Sequence, residues 1–177
     1  MTVQHIAAAL QRAESALQID PDEGLHDDTP ATARWQSGTR VIASHANGTA
    51  LSTDMPSDLG GTGDKVTPGW LFRAGIASCA ATTIAMAAAV EGIELTTLEV
   101  RASSRSDTRG LLGMTGPDGA PVHAAPFDVQ VHVRISARGV APARLRALVA
   151  DGYRCSPIPN AVQNALPVDV RVEVDAD

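Results

Sequence analysis

The stretch Thr67-Pro-Gly-Trp-Leu-Phe-Arg-Ala-Gly-Ile-Ala-Ser-Cys79-Ala-Ala-Thr-Thr-Ile-Ala-Met-Ala-Ala-Ala-Val90 decides the fold. Thr67 offers a side-chain oxygen to cap a helix, and Pro68 occupies the first helical position, where no N–H is required. Glu91-Gly92 then supplies a glycine stop. From Ala74 to Val90 the chain carries no charge for seventeen residues, with Arg73 and Glu91 at the ends. That length is at the short limit for crossing a bilayer, and the run is mostly Ala, Gly, Ser and Thr, so it predicts a buried core helix. Phe72, Ile76, Cys79, Thr83, Met86 and Val90 recur at alternating steps of four and three, which predicts an inward stripe with Cys79 in its middle. The small neighbours Ala77, Ser78, Ala80 and Ala81 let another backbone or a ligand come close to that thiol. Cys79 is then either a small core hydrophobe or a reactive group.

Downstream of this helix, three runs alternate apolar and polar residues. They are Leu98, Val100 and Ala102; Phe127 to Ile135; and Val168 to Val174. A period of two predicts strands with one face buried. Between the second and third, Ala141-Pro142 opens a second helix that runs to about Cys155 and stops at Pro157. Its apolar side holds Leu145, Leu148, Val149 and Gly152. Cys155 and Ser156 both reach that side near its end, about 100° apart on a helical turn, so which of them meets Cys79 matters chemically.

Upstream, short β-like runs around Trp35, Val41-Ile42 and Leu51 are broken by Ser37-Gly38 and Asn47-Gly48, the second a hairpin signal. Residues 1–18 carry Val3, Ile6, Leu10, Ala13 and Leu17 at helical spacing, and the acidic segment 20–30 reads as a linker. The chain thus divides into an N-terminal appendage, 1–30, and one α+β domain, 31–177, in which a mainly antiparallel sheet packs on two central helices.

With 177 residues, 44% hydrophobic and 19% charged, the composition is that of an ordinary globular protein. A net charge of −6 argues against a nucleic-acid footprint, which needs a basic face. Two cysteines are too few for a disulfide scaffold and lack zinc spacing. The five histidines, 5, 26, 45, 123 and 132, include no metal-spaced pair. No metal and no cofactor are expected. The loop Gly60-Gly-Thr-Gly-Asp-Lys65 lacks the Gly-Lys-Ser/Thr register of a phosphate loop. Absence of a basic leader and of a long apolar span predicts a cytoplasmic protein with no membrane partner.

The ordered set across residues 33–176 resembles the OsmC/Ohr family of osmotically induced and organic-hydroperoxide-resistance proteins. The residues that carry the resemblance are Leu59-Gly-Gly-Thr-Gly before the Thr-Pro helix start, Leu71-Phe-Arg-Ala-Gly-Ile-Ala-Ser-Cys79, Gly92-Ile-Glu-Leu, and Ser156-Pro-Ile-Pro-Asn-Ala161. The resemblance implies an intertwined homodimer whose peroxidatic cysteine, here Cys79, attacks an organic hydroperoxide. It implies that a second cysteine, Cys155, resolves the sulfenic acid, unless an external thiol does, and that a dithiol such as dihydrolipoamide restores the enzyme. It also implies an activating arginine near the first hairpin, for which Arg40 is the choice and Arg73 the alternative. Three positions depart from the family pattern, one being Gly38, which counting back puts at the place of the activating arginine, with Arg40 two residues on and Arg34 four residues before. Gly69 replaces the carboxylate that follows Pro68, and Ser156 precedes Pro157 where the family has Cys-Pro, with Cys155 one position early. Those departures leave a second reading open, a dimeric small-molecule-binding or stress-associated protein with weakened peroxidase chemistry.

Overall fold

The computed structural model describes residues 2–164 and 166–175. In chain order its elements are α1 (Val3–Ile19), β1 (Thr32–Ser37), β2 (Arg40–Ser44), β3 (Ala50–Thr53), α2 (Pro68–Val90), β4 (Leu95–Arg105), α3 (Thr108–Leu111), β5 (Phe127–Ala137), α4 (Pro142–Arg154) and α5 (Pro157–Gln163). The α+β class is as the sequence predicts.

Helix α2 is the centre of the molecule. Thr67 Oγ1 accepts the Trp70 N–H at 3.2 Å. At the other end Gly92 adopts a φ of 66°, and the Ile93 N–H reaches the Ala88 carbonyl at 2.9 Å. The helix has 23 residues, and its most apolar 18-residue window has a mean hydropathy of 1.4 with 22% of that window buried, so within this chain it is a partly covered helix rather than the fully buried one expected. Its buried residues are Ile76, Ala80, Ile84, Ala88 and Ala89. This corrects the expected stripe: Phe72, Cys79 and Thr83 are only half-buried, while Met86 and Val90 are exposed. The face that turns inward is a ridge at steps of four whose small alanines allow neighbouring elements to approach closely, and close approach outweighs side-chain bulk.

Strands β4 and β5 form an antiparallel pair, with Leu98 opposite Ile135, Val100 opposite Val133 and Ala102 opposite Val131. Strand β4 and helix α4 pack on α2, and β5 touches α4. Ala88, Leu145 and Leu148 form the core cluster, surrounded by Ile93, Leu95, Ile135, Ala137 and Val140. Helix α4 comes nearest to α2 at Gly152, where an added Cβ would stand 2.7 Å from Ile84 Cα and 3.0 Å from Ile84 N.

Helix α1 docks on α2 of its own chain through its first half, with Val3, Ile6, Ala7, Ala9 and Leu10 half-buried and residues 11–19 exposed. Strands β1, β2 and β3 form a separate antiparallel meander, turned between β2 and β3 at Asn47-Gly48, where Gly48 has a φ of 91°. The antiparallel arrangement therefore comprises two sheets. Every residue of β1 is exposed, and the meander makes no extensive contact with a helix of its own chain.

The third alternation, 168–174, forms no strand. Residues 166–175 have no sheet partner among the described residues, and Val168, Val170, Val172 and Val174 are 77–86% exposed. The pattern is present, but a ladder requires a neighbouring strand to satisfy the backbone, and this chain does not place one there.

Gly152→Ala should test the α2–α4 contact. Because the clash is with backbone, which cannot rotate away, the variant is expected to lose about 1–3 kcal/mol of stability, read as a fall of several degrees in thermal midpoint relative to the unsubstituted protein.

Candidate active site

Two elements bring the thiol its neighbours. Cys79 lies midway along α2, half-buried. The chain leaves α4 at Cys155, which caps it with φ −91° and ψ 8°, and Ser156 then turns to an extended conformation, φ −85° and ψ 112°, before α5 begins at Pro157. That corner is clamped by Asn160, whose Nδ2 donates to the Arg154 carbonyl at 2.9 Å and to the Ser156 carbonyl at 2.8 Å. The corner aims Ser156 inward and leaves Cys155 exposed.

Ser156 is fully buried, and its Oγ donates to Cys79 Sγ at 3.1 Å. The Ile158 N–H donates to the same sulfur at 3.4 Å. Two donors, one a side-chain hydroxyl and one a backbone N–H, are thus aimed at one sulfur. Cys79 and Cys155 are both free thiols, and both line one pocket of about 480 Å³ with Ser78, Thr82, Thr83, Met86, Pro157 and Ile158. None of these lining residues carries a charge. Cys155 also borders an adjoining cavity of about 410 Å³ that extends to Leu10 and Glu14 of α1.

Arg40 is placed elsewhere. Its Nη2 donates to Thr62 Oγ1 at 2.7 Å and to Asp54 Oδ2 at 3.2 Å, and it is ion-paired with Asp64. Asp54, only 2% exposed, also accepts from Thr39 Oγ1 at 2.6 Å, Thr62 Oγ1 at 2.8 Å and the Thr62 and Met55 backbone N–H groups. The Thr39 hydroxyl first, and the Thr62 donors next, hold the Asp54 carboxyl well below the usual carboxylate range. This cluster ties the glycine-rich loop to the first hairpin, and Gly61 fits only because it lacks a side chain: a Cβ there would stand 1.8 Å from the Met55 carbonyl oxygen. Within one chain, then, Cys79 and Cys155 share a pocket, whereas Arg40 is not among its lining residues. Arg73, the alternative cation, reaches Ser104 Oγ at 3.4 Å and is likewise absent from that pocket.

The model of the OsmC-like protein family matches residues 61–171, which include α2, the β4–β5 pair, both cysteines and the α4–α5 corner. The chain belongs to the OsmC-like family. Among solved structures it is similar to an organic hydroperoxide resistance protein from Legionella pneumophila, with 25% identity, a TM-score of 0.56 and coverage of 79% of this chain and 92% of that one. An OsmC-like protein from Mycoplasma pneumoniae has 15% identity and a TM-score of 0.65, covering 80% and 91%. An organic hydroperoxide resistance protein from Elizabethkingia anophelis has 20% identity and a TM-score of 0.57, covering 80% and 91%. No curated protein matches the sequence significantly. Helix α1 and β1–β3 lie outside the family match.

The sequence had left open whether Cys155 or Ser156 faces the thiol of this OsmC-like chain, and Ser156 does. The Ile158 N–H was not foreseen; the Ser-Pro-Ile-Pro turn after α4 was its only trace. Asp54 was also missed, since a single acid at the end of a four-residue strand carries no motif.

Removing the Ser156 hydroxyl takes away one of the two donors to the Cys79 sulfur, and Ser156→Ala in a Cys155→Ser background is expected to slow alkylation of Cys79 by iodoacetamide at fixed pH several-fold. An alkylation rate equal to that of the Cys155→Ser protein would remove Ser156 from the site. For Asp54 the sign follows from its depressed carboxyl: the stabilisation is complete above the unfolded value near 4 and is lost as pH falls from there toward the folded value. Thermal midpoints between pH 7 and pH 3 should therefore decline less steeply for Asp54→Asn, from a lower start, than for the unsubstituted protein.

Proposed function

We propose that the protein is a thiol-dependent peroxidase that reduces organic hydroperoxides through Cys79. The observation that carries this reading is the half-buried Cys79 sulfur, which receives hydrogen bonds from Ser156 and Ile158 and opens onto an uncharged pocket shared with a second free thiol. Kinship with organic hydroperoxide resistance proteins supports it.

In this reading the Cys79 thiolate attacks the terminal oxygen of the hydroperoxide. The O–O bond breaks, the sulfur becomes a sulfenic acid, and the alkoxide leaves as the alcohol after taking a proton. Cys155 then attacks the sulfenic sulfur, releasing water and leaving a Cys79–Cys155 disulfide. An external dithiol of the dihydrolipoamide type reduces that bridge by exchange and is itself oxidised. Ser156 is a positioning residue that steadies the sulfur charge before attack. The uncharged pocket suits an apolar alkyl or aryl group better than hydrogen peroxide. Arg40 enters the proposal from the start of β2: braced by Asp54 and Asp64, it is the cation that a neighbouring subunit's thiol would meet across an interface.

A homodimer belongs to the same proposal. The chain exposes 13074 Å², whereas a compact monomer of this mass exposes about 8,100 Å². Strand β1 and the alternating segment 166–175 are exposed and find no covering partner among the described residues, and a second copy covers such surfaces reciprocally. We place the protein in the cytoplasm, where two cysteines stay reduced between turnovers.

The rival reading, an OsmC-like binding protein without efficient catalysis, is favoured by one arrangement: Arg40 is bound to Asp54 and Asp64, and no cation lines the pocket of Cys79. Treatment of the reduced protein with one equivalent of cumene hydroperoxide, followed by intact mass and peptide mapping, separates the two. A loss of two hydrogens with Cys79 linked to Cys155 is the expected result. Cys79 held as sulfenic acid without a bridge would mean a one-cysteine cycle served by an external thiol. Cys79 left unmodified, under conditions that oxidise a free thiol control, sinks the peroxidase. Sedimentation velocity is expected to give twice the 18.3 kDa chain mass.

A further inference from the structure

A second cavity, of about 560 Å³, lies between the turn after β3, the start of α2 and α3. It does not share a lining residue with the Cys79 pocket. Met55, Pro56, Leu59, Phe72, Leu111 and Pro126 give it largely apolar walls. Its volume is within the range of small-molecule sites.

One feature of this cavity is out of keeping with its walls. Arg73 projects from α2 into the lining, half-buried, and among the described residues it pairs with no carboxylate; its one side-chain hydrogen bond is to Ser104 Oγ at a long 3.4 Å. A guanidinium taken partly out of water without a counter-ion is unfavourable unless something else supplies one. The acid that also lines the cavity, Asp107, is committed: Arg109 donates to it through Nε at 3.0 and 3.2 Å and through Nη2 at 2.6 Å, and these bonds hold its carboxyl below the usual range. One turn before Arg73, Gly69 carries no side chain, so the space beside the guanidinium is open. A Cβ there would stand 3.7 Å from Arg73 Nη1, an ordinary contact.

We propose that this cavity is a binding site for an apolar monocarboxylate, whose carboxylate is received by the Arg73 guanidinium and whose hydrocarbon part lies against Phe72, Leu59 and Leu111. Arginine suits this role because its planar fork can bond both carboxylate oxygens, and apolar walls strengthen the pair by limiting water. The site stands on its own geometry and does not depend on the thiol chemistry at Cys79.

Isothermal titration of the full chain with octanoate tests it. The expected dissociation constant is about 1 mM or below, and octanol, which lacks the charge, should bind at least about tenfold more weakly, as loss of a charge-assisted pair implies. Arg73→Gln should weaken octanoate by a similar factor without changing octanol. Gly69→Glu places a carboxylate four residues before Arg73, at the helix start where an acid is favourable, and should block octanoate by occupying the guanidinium. Circular dichroism and sedimentation of each variant establish that it is folded and unchanged in assembly. Octanoate that fails to bind the unsubstituted protein, or that binds all three proteins alike, overturns the proposal. So does an Arg73→Gln protein with an altered oligomeric state, which would make Arg73 an interface group.

Discussion

Everything at the thiol depends on how closely α4 can lie on α2. The approach is possible because Gly152 has no side chain where Ile84 presents its backbone, and because the α2 face beneath is Ile76, Ala80, Ile84 and Ala88 rather than a row of large residues. With α4 at that depth, its last turn ends beside Cys79. The turn into α5 then delivers a hydroxyl and a backbone N–H to the sulfur. A side chain at 152 would lift the whole corner, and hydrogen bonds of 3.1 and 3.4 Å do not survive a displacement of that size. Packing at one glycine is thus continuous with the electrostatics of one thiol.

A second constraint, independent of the first, is the buried Asp54. A nearly inaccessible carboxylate must be provided with donors, and Thr39, Thr62, Met55 and Arg40 all supply them. The consequence is that the glycine-rich loop, which a motif search would compare with nucleotide-binding loops, is folded around an anion belonging to the protein itself. Its glycines serve close backbone approach at Met55 rather than a phosphate.

Much of the fold was legible because it rests on local rules. Thr67-Pro68 and Gly92 mark the ends of α2, the period-two runs mark β4 and β5, and Ala141-Pro142 marks the start of α4. The rotation of α2 was not legible, because hydrophobicity counts bulk, and here the deciding quantity was the absence of bulk at Ala80 and Ala88. The alternation at 168–174 shows the complementary limit: a sequence can encode a strand's two faces without encoding what it will pair with. At the site, the motif order pointed to Cys79 and to the end of α4, but only the turn at Cys155–Ser156 determines which side chain meets the sulfur. Arg40 shows why charge alone is a poor guide, since its partners Asp54 and Asp64 come from segments 14 and 24 residues away.

The uncovered meander of β1, β2 and β3 has a thermodynamic consequence. Trp35 stands 72% exposed on a sheet that rests on no helix of its own chain, and three short strands only half-covered along β2 have little cohesion of their own. Whatever surface closes over that sheet therefore enters the folding equilibrium as a reactant. Under the proposed homodimer, the order of the hairpin, and with it the Arg40–Asp54 cluster at its end, would be governed by mass action and weaken on dilution, while the α2–α4 contact that shapes the thiol's surroundings is internal to the chain and would not.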